Sequence, residues 1–283
     1  MNKQEQERII AVAREHVASI ALPYTHLTLR VGGDHSFGVV NKESRVTVDG
    51  IYVIPSREML GIHEKHLSIR KLGEVNGQDV EYLGDDVGHM IQRIAHGKQL
   101  AFELVLRGGR DAWMLLEQHP DLMKMVKVVQ DLLAETHVNN MLWQVGEWTR
   151  QIKERSFVNL RTVHFALHHA LMMLCLAKTT EVVVPYHRQL LIAGQCLRAS
   201  TTRGIEQFLT RIRTDDMGLE MRKEELVGER GVGAWLDDIV SATHVALNAH
   251  LLPPTPCDCT IKRANGFVVE MREKVGEAQP LST

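Results

Sequence analysis

The sequence predicts an α+β chain in which a small mixed β-sheet with flanking helices occupies the N-terminal half and an α-helical domain follows. Three observations carry this expectation. Short alternating runs bounded by glycine and proline recur between residues 26 and 83, helical periodicity is nearly unbroken from Asp85 onward, and neither half contains a repeat or a low-complexity segment.

The elements follow in chain order. Ile9, Ile10, Ala13, Val17 and Ile20 recur at helical spacing, so residues 4–20 read as an amphipathic helix that Pro23 closes. His26 to Val31 alternates as a strand and stops at Gly32-Gly33. Arg45 to Ile54 is a stronger strand, with Val46 and Val48 on one face and Arg45, Thr47 and Asp49 on the other. Ser56 after Pro55 reads as the N-cap of a short helix through Met59 and Leu60. Further strands are expected at His66–Lys71 and Gln78–Leu83. Asp85-Asp86 then opens a helix carrying Val87, Met90, Ile91 and Ile94. Helical patterning continues near 99–106, 120–135, 137–153, 159–177 and 234–250. Pro253, Pro254 and Pro256 break it before a last helix over 260–274. The run Glu220 to Glu225 reads as a solvated helix face. The domain boundary is placed between 135 and 136, giving a first domain over 1–135 and a helical one over 136–283.

Composition narrows the function classes. The 283 residues are 44% hydrophobic and 24% charged with net charge -2, so a packed core is expected and disorder is not. That balance lacks the basic excess of a protein held to nucleic acid chiefly by phosphate contacts. The N-terminus has no signal-peptide pattern, and the longest apolar run, Ala166–Ala177, is interrupted by His168 and His169 and too short to span a bilayer. A cytoplasmic protein without a membrane partner is the expectation. Cys175 and Cys196 sit in apolar helical patterns and read as core, while Cys257 and Cys259 form a C-x-C without the second ligand pair of a zinc site.

The informative stretch is Gly32-Gly33-Asp34-His35-Ser36-Phe37-Gly38, then Glu43-Ser44-Arg45-Val46-Thr47-Val48-Asp49-Gly50-Ile51-Tyr52. Glycines after a strand let backbone approach a phosphate, and they also simply make turns. Taken whole, the stretch resembles the signature of the polymerase β-like nucleotidyltransferases predicted in bacteria and phages, roughly G-G-S-H-S-Y-G, a spacer, then E-S-D-x-D-x-R-G-x-Y. Gly32, Gly33, His35, Ser36, Gly38, Glu43, Ser44, Gly50 and Tyr52 match in place. Gly97 to Val105 with Glu103 resembles a later helix of that family, and Glu81 falls where its third carboxylate stands. His164, Arg198 and Leu252-Pro253 resemble its C-terminal helical region. The resemblance implies a nucleotidyltransferase-type mixed sheet, a nucleoside triphosphate held near Gly32, Gly33, Asp34, Ser36, Arg45 and Thr47, and Mg²⁺ as cofactor.

The departures fall on the chemistry. In the family two aspartates on one strand face and a third carboxylate on a neighbouring strand hold two magnesium ions, which requires hard anionic oxygen ligands close together. Their two strand positions are Arg45 and Thr47 here. A guanidinium cannot ligate a cation and repels one, a change worth on the order of several kcal/mol at contact distance. Asp34 replaces a phosphate-side serine, and Asp49 stands where the family has arginine. Two readings stay open. In one, Arg45 pairs with Glu81 or Asp34 and the protein is a pseudoenzyme that binds a nucleotide, a protein or an RNA through the remodelled pocket. In the other, Asp34, Asp49 and Glu81, with Asp79 nearby, form a relocated metal site, and Glu81 and Asp49 serve catalysis.

Other constellations read as structural. His164 and His168 stand at i, i+4 among apolar neighbours without a carboxylate to complete a metal site. His63 to His66 reads as solvated surface. Met141, Trp143 and Trp148 form a hydrophobic set that is either core or the interface of a homo-oligomer. Ser36 lacks the partner pattern of a nucleophile elbow.

Overall fold

The computed structural model describes residues 3–20, 22, 24–33, 35, 44–60, 67–97, 105–106, 115–183, 186–214, 220–222 and 231–278. The chain divides into two units, the first Met1–Gly38, Glu43–Leu132 and Pro256–Thr283, the second Val39–Lys42 and Leu133–Thr255. The helical domain expected over 136–283 therefore loses its last helix, which belongs with the first unit.

The first unit is built on a mixed sheet of five strands in the order β3-β4-β2-β1-β5. These are β1 (Thr25–Gly32), β2 (Val46–Val53), β3 (Ser68–Val75), β4 (Gln78–Asp86) and β5 (Leu115–Gln118). Strands β2 and β4 run parallel, and the other pairings are antiparallel. Helix α1 (Lys3–Ile20) covers one face. Its Ile9, Val12 and Ala13 pack against Leu29, Val31, Val46, Val48, Val80 and Tyr82. Alternation therefore sends Thr28, Arg30, Thr47, Asp49, Glu81 and Leu83 to the opposite face. The fold class is the α+β one expected.

Several boundaries differ from the sequence reading. Ser56 is the first residue of α2 (Ser56–Met59) rather than its cap, because Pro55 holds the extended N-cap conformation with no side-chain bond. The third strand runs Ser68–Val75 rather than stopping at Lys71, since its pairing with β4 continues to Val75↔Gln78. The helix expected from Asp85-Asp86 is α3 (Val87–Ala95), and Asp86 caps it by accepting from Gly88 N and His89 N. Strand β5 was not expected, being only four residues long. The segment expected as a helix at 99–106 lies outside the described residues except for Val105 and Leu106, as does all of His63–His66.

Helix α4 (Leu122–Leu132) and the last helix, α10 (Asp258–Ala278), complete the first unit. Helix α10 buries Ala264, Phe267, Met271 and Val275. It also contributes Arg272, whose Nη2 donates to the fully buried Asp86 Oδ1 at 2.5 Å and whose Nη1 donates to Ile54 O at 3.0 Å. Asp86 Oδ2 accepts from Ile54 N at 3.2 Å, so the buried carboxylate is engaged by both charge and backbone. Just before these turns, Cys257 and Cys259 are joined as a disulfide.

The second unit is helical: α5 (Glu135–Glu154), α6 (Leu160–Thr179), α7 (Tyr186–Ala193), α8 (Ala199–Thr214) and α9 (Val232–Leu247). Helix α6 is long and apolar enough to cross a membrane, but 83% of that window is buried inside the protein, where α5 and α9 pack on it. Two short strands, β6 (Phe157–Asn159) and β7 (Glu220–Arg222), pair antiparallel. That pairing corrects the helical reading of Glu220–Glu225 at its first three residues. Cys196 is exposed rather than core, because it lies in the turn after α7, while Cys175 is buried. The set of Met141, Trp143 and Trp148 is split. Met141 is in the core, Trp148 is half-buried against the His169 ring at 4.9 Å between centroids, and Trp143 is 70% exposed. Two residues turn a helix by about 200°, which puts Trp143 on the far side from Met141. His164 and His168 are fully buried, with Tyr186 Oη 2.9 Å from His164 Nδ1 and the Tyr186 ring 5.3 Å from that of His168.

Candidate functional site

The sheet face opposite α1 gathers the residues that the motif singled out. Register sets them side by side. Thr47 of β2 stands opposite Gly32 of β1 on one flank and Glu81 of β4 on the other. Asp49, one pleat along, stands opposite Arg30 and Leu83. The Asp49 carboxylate therefore has a charged cross-strand partner, Arg30, on one side and the apolar Leu83 on the other.

The two glycines serve this crowding. A Cβ at Gly32 would run into the Asp49 carboxylate, whose side chain lies across that position. Gly33 has φ +58°, which disfavours an L side chain, and a Cβ there would lie 2.7 Å from Thr47 Oγ1. The glycines thus let β1 end closely beside the Thr47 and Asp49 side chains.

Charges on this face are paired with one another. Arg45, immediately before β2, places Nη1 3.7 Å from Glu81 Oε2 and Nη2 3.8 Å from Asp79 Oδ2. Arg70 of β3 donates from Nε to Glu81 Oε1 at 2.5 Å. The Glu81 side chain is 12% exposed, against 40% for Arg45 and 64% for Arg70. A shielded carboxylate is therefore clasped between two guanidinium groups whose outer surfaces reach solvent. The pairing of Arg45 with Glu81 expected from the motif is present. Asp34 and Ser36 lie outside the described residues, so their side of the motif has no geometry to report. His35 is buried.

These donors do not fit magnesium. A metal beside Thr47 would face the guanidinium of Arg45, and Glu81 spends its oxygens on two arginines. Among the described residues no group of three or more His, Cys, Asp or Glu could hold a metal ion. The arrangement suits an anion better. Guanidinium groups bind carboxylate and phosphate alike through their N–H donors.

Sequence reasoning missed Arg70. Its signal was the alternation of β3, legible only once that strand's true length and its pairing with β4 were known. It also missed a polar group further down β4. There Asp85 receives the Ser68 hydroxyl and Arg93 Nη1, the latter at 2.7 Å, and His89 Nδ1 lies 3.5 Å away. Ser68 and Asp85 both approach the same ring nitrogen, Nδ1. A relay that activates a nucleophile needs its two partners on opposite nitrogens, so this group reads as a brace between β3, β4 and α3.

Beneath the site, on the α1 side, His26 Nε2 lies 2.9 Å from Tyr82 Oη. Burial lowers the His26 pKa to about 4 and raises that of Tyr82. His26 is thus neutral at physiological pH and acts as a packed polar spacer.

No family model matches the chain, and no curated protein matches it. Among solved structures the chain is similar to a nucleotidyltransferase-like protein from Exiguobacterium sibiricum, with 12% identity and a TM-score of 0.31 over 94% of this chain and 81% of that one.

Proposed function

We propose that this chain is a nucleotidyltransferase-like protein of bacterial or phage type that has exchanged catalysis for binding. It takes the phosphates of a nucleotide on the sheet face of Arg45 and Arg70 without magnesium. One observation carries the reading: Glu81, at the position of the family's third metal carboxylate, is held by Arg70 at 2.5 Å and approached by Arg45 at 3.7 Å. Arg45 itself stands at the first missing aspartate. Charge that would neutralise a metal cluster is neutralised by side chains instead, and the arginines are left able to accept phosphate. Gly32 and Gly33 supply the close backbone approach. We place the protein in the cytoplasm, where nucleotides are available.

The test is calorimetric titration of the full chain with nucleoside triphosphates, once with magnesium and once with a chelator, alongside an assay for transfer of labelled nucleoside monophosphate. Binding that persists in chelator, without transfer, supports the proposal. Magnesium-dependent transfer that disappears in both Glu81→Ala and Asp49→Ala would establish the relocated-carboxylate enzyme instead.

A further inference from the structure

We infer that Cys257 and Cys259 form a redox-active dithiol–disulfide couple that exchanges with low-molecular-weight thiols. The two are bonded across a single intervening residue, and both are exposed. A ring this short restrains the unfolded chain far less than a long loop does, so stabilisation is a weak reason for it. The turn is also held without it. Cys257 O accepts from Thr260 N at 3.0 Å, from Ile261 N at 3.1 Å and from Thr260 Oγ1 at 2.8 Å.

Those bonds make Cys257 the N-cap of α10, a helix of 21 residues. Its Sγ lies 3.4 Å from Thr260 N, so the sulfur itself occupies the place of a capping acceptor. A thiolate there is stabilised by a backbone N–H and by the helix N-terminus, the setting that makes cysteines reactive. The two other cysteines serve as internal controls. Cys175 is buried and its thiol is pushed up to about 12 by burial, and Cys196 is exposed in the turn between α7 and α8, outside the first turn of either helix.

The exchange follows from this asymmetry. A thiolate attacks Cys259 Sγ, the bond between the two protein sulfurs breaks, and the electron pair leaves on Cys257 Sγ, the better leaving group. A second thiol attacks the small-molecule sulfur of the mixed disulfide, releasing Cys259 as a thiol and a small-molecule disulfide. The protein gains two electrons, two thiol molecules lose them, and the protons end on the protein thiols. The reverse sequence reoxidises the pair. In a reducing compartment an exposed disulfide of this kind is a responsive element.

The experiment equilibrates the full chain in glutathione buffers of graded ratio, traps free thiols with a maleimide of high mass, and counts them. The expected result is a single transition in which two thiols appear together, absent in both Cys257→Ser and Cys259→Ser. In the reduced protein, iodoacetamide should label Cys257 about tenfold faster than Cys259 at neutral pH. Thermal unfolding of oxidised and reduced protein should coincide within a few degrees. The proposal is overturned if the pair stays oxidised or stays reduced at every ratio, if Cys259 labels faster, or if reduction markedly lowers the melting temperature.

Discussion

Glu81 is the residue on which the charge of the site turns. Its shielded carboxylate holds two arginines that reach solvent, and pairs screened by water on the arginine side contribute about 0–1 kcal/mol to stability. Glu81→Gln should therefore leave the unfolding free energy nearly unchanged. It should, however, remove the negative charge that competes with an incoming phosphate. Triphosphate affinity in chelator is expected to rise about three- to tenfold at low salt, and the gain should shrink as salt is added. Calorimetry of the variant reads both effects, and weaker binding would show that Glu81 is a ligand contact rather than a competitor. The Arg45–Glu81 partnership was legible in the sequence, because the motif's spacing numbered both positions. Arg70 was not. No motif marks it, and only the pairing of β3 with β4 brings it to Glu81.

At the scale of elements, periodicity located α1, α4, α5, α6, α9 and α10 within a few residues, but it did not single out α8 (Ala199–Thr214). It did not find β5, whose four residues cannot display a period, nor the extent of β3, whose face is largely exposed and so lacks an apolar alternation. The last helix shows the same limit from another side. Its apolar positions announce burial without saying what it is buried against. The answer is Arg272, which binds the buried Asp86 at the start of α3 and the Ile54 carbonyl after β2. A charged partner removed from a buried pair leaves the other uncompensated, at about 3–5 kcal/mol. Arg272→Met should therefore destabilise the first unit by that amount in urea titrations followed by circular dichroism. Adding Asp86→Asn should recover part of the loss, because the amide oxygen still caps α3 without carrying an unpaired charge. A loss below about 1 kcal/mol would mean that apolar packing alone docks α10.

For the molecule as a whole, the first unit is discontinuous in sequence, built from residues before Leu132 and after Pro256. Linear patterning has no way to express that return, which is why a single cut at 135 divided the chain too simply. The same unit should also govern the response to acid, through His26. Its pKa is about 4 in the fold, lowered by burial, against 6.5 when unfolded. Between those values the unfolded chain binds the proton and the folded one does not. The stability that a neutral His26 supports is therefore complete above pH 6.5 and is lost as pH falls through 4, about 3 kcal/mol over the whole window. Carboxylates also titrate near the lower end, so the informative quantity is the difference between wild type and His26→Gln, which shares them. That glutamine cannot take up the proton but can still approach the Tyr82 hydroxyl. Urea titrations at pH 7.5 and 4.5 should show the wild-type advantage shrinking by about 2–3 kcal/mol. Hydrogen exchange should place the acid-induced loss of protection in β1, β2 and β4. A difference that stays constant with pH would mean that His26 is protonated in the fold and that acid acts elsewhere.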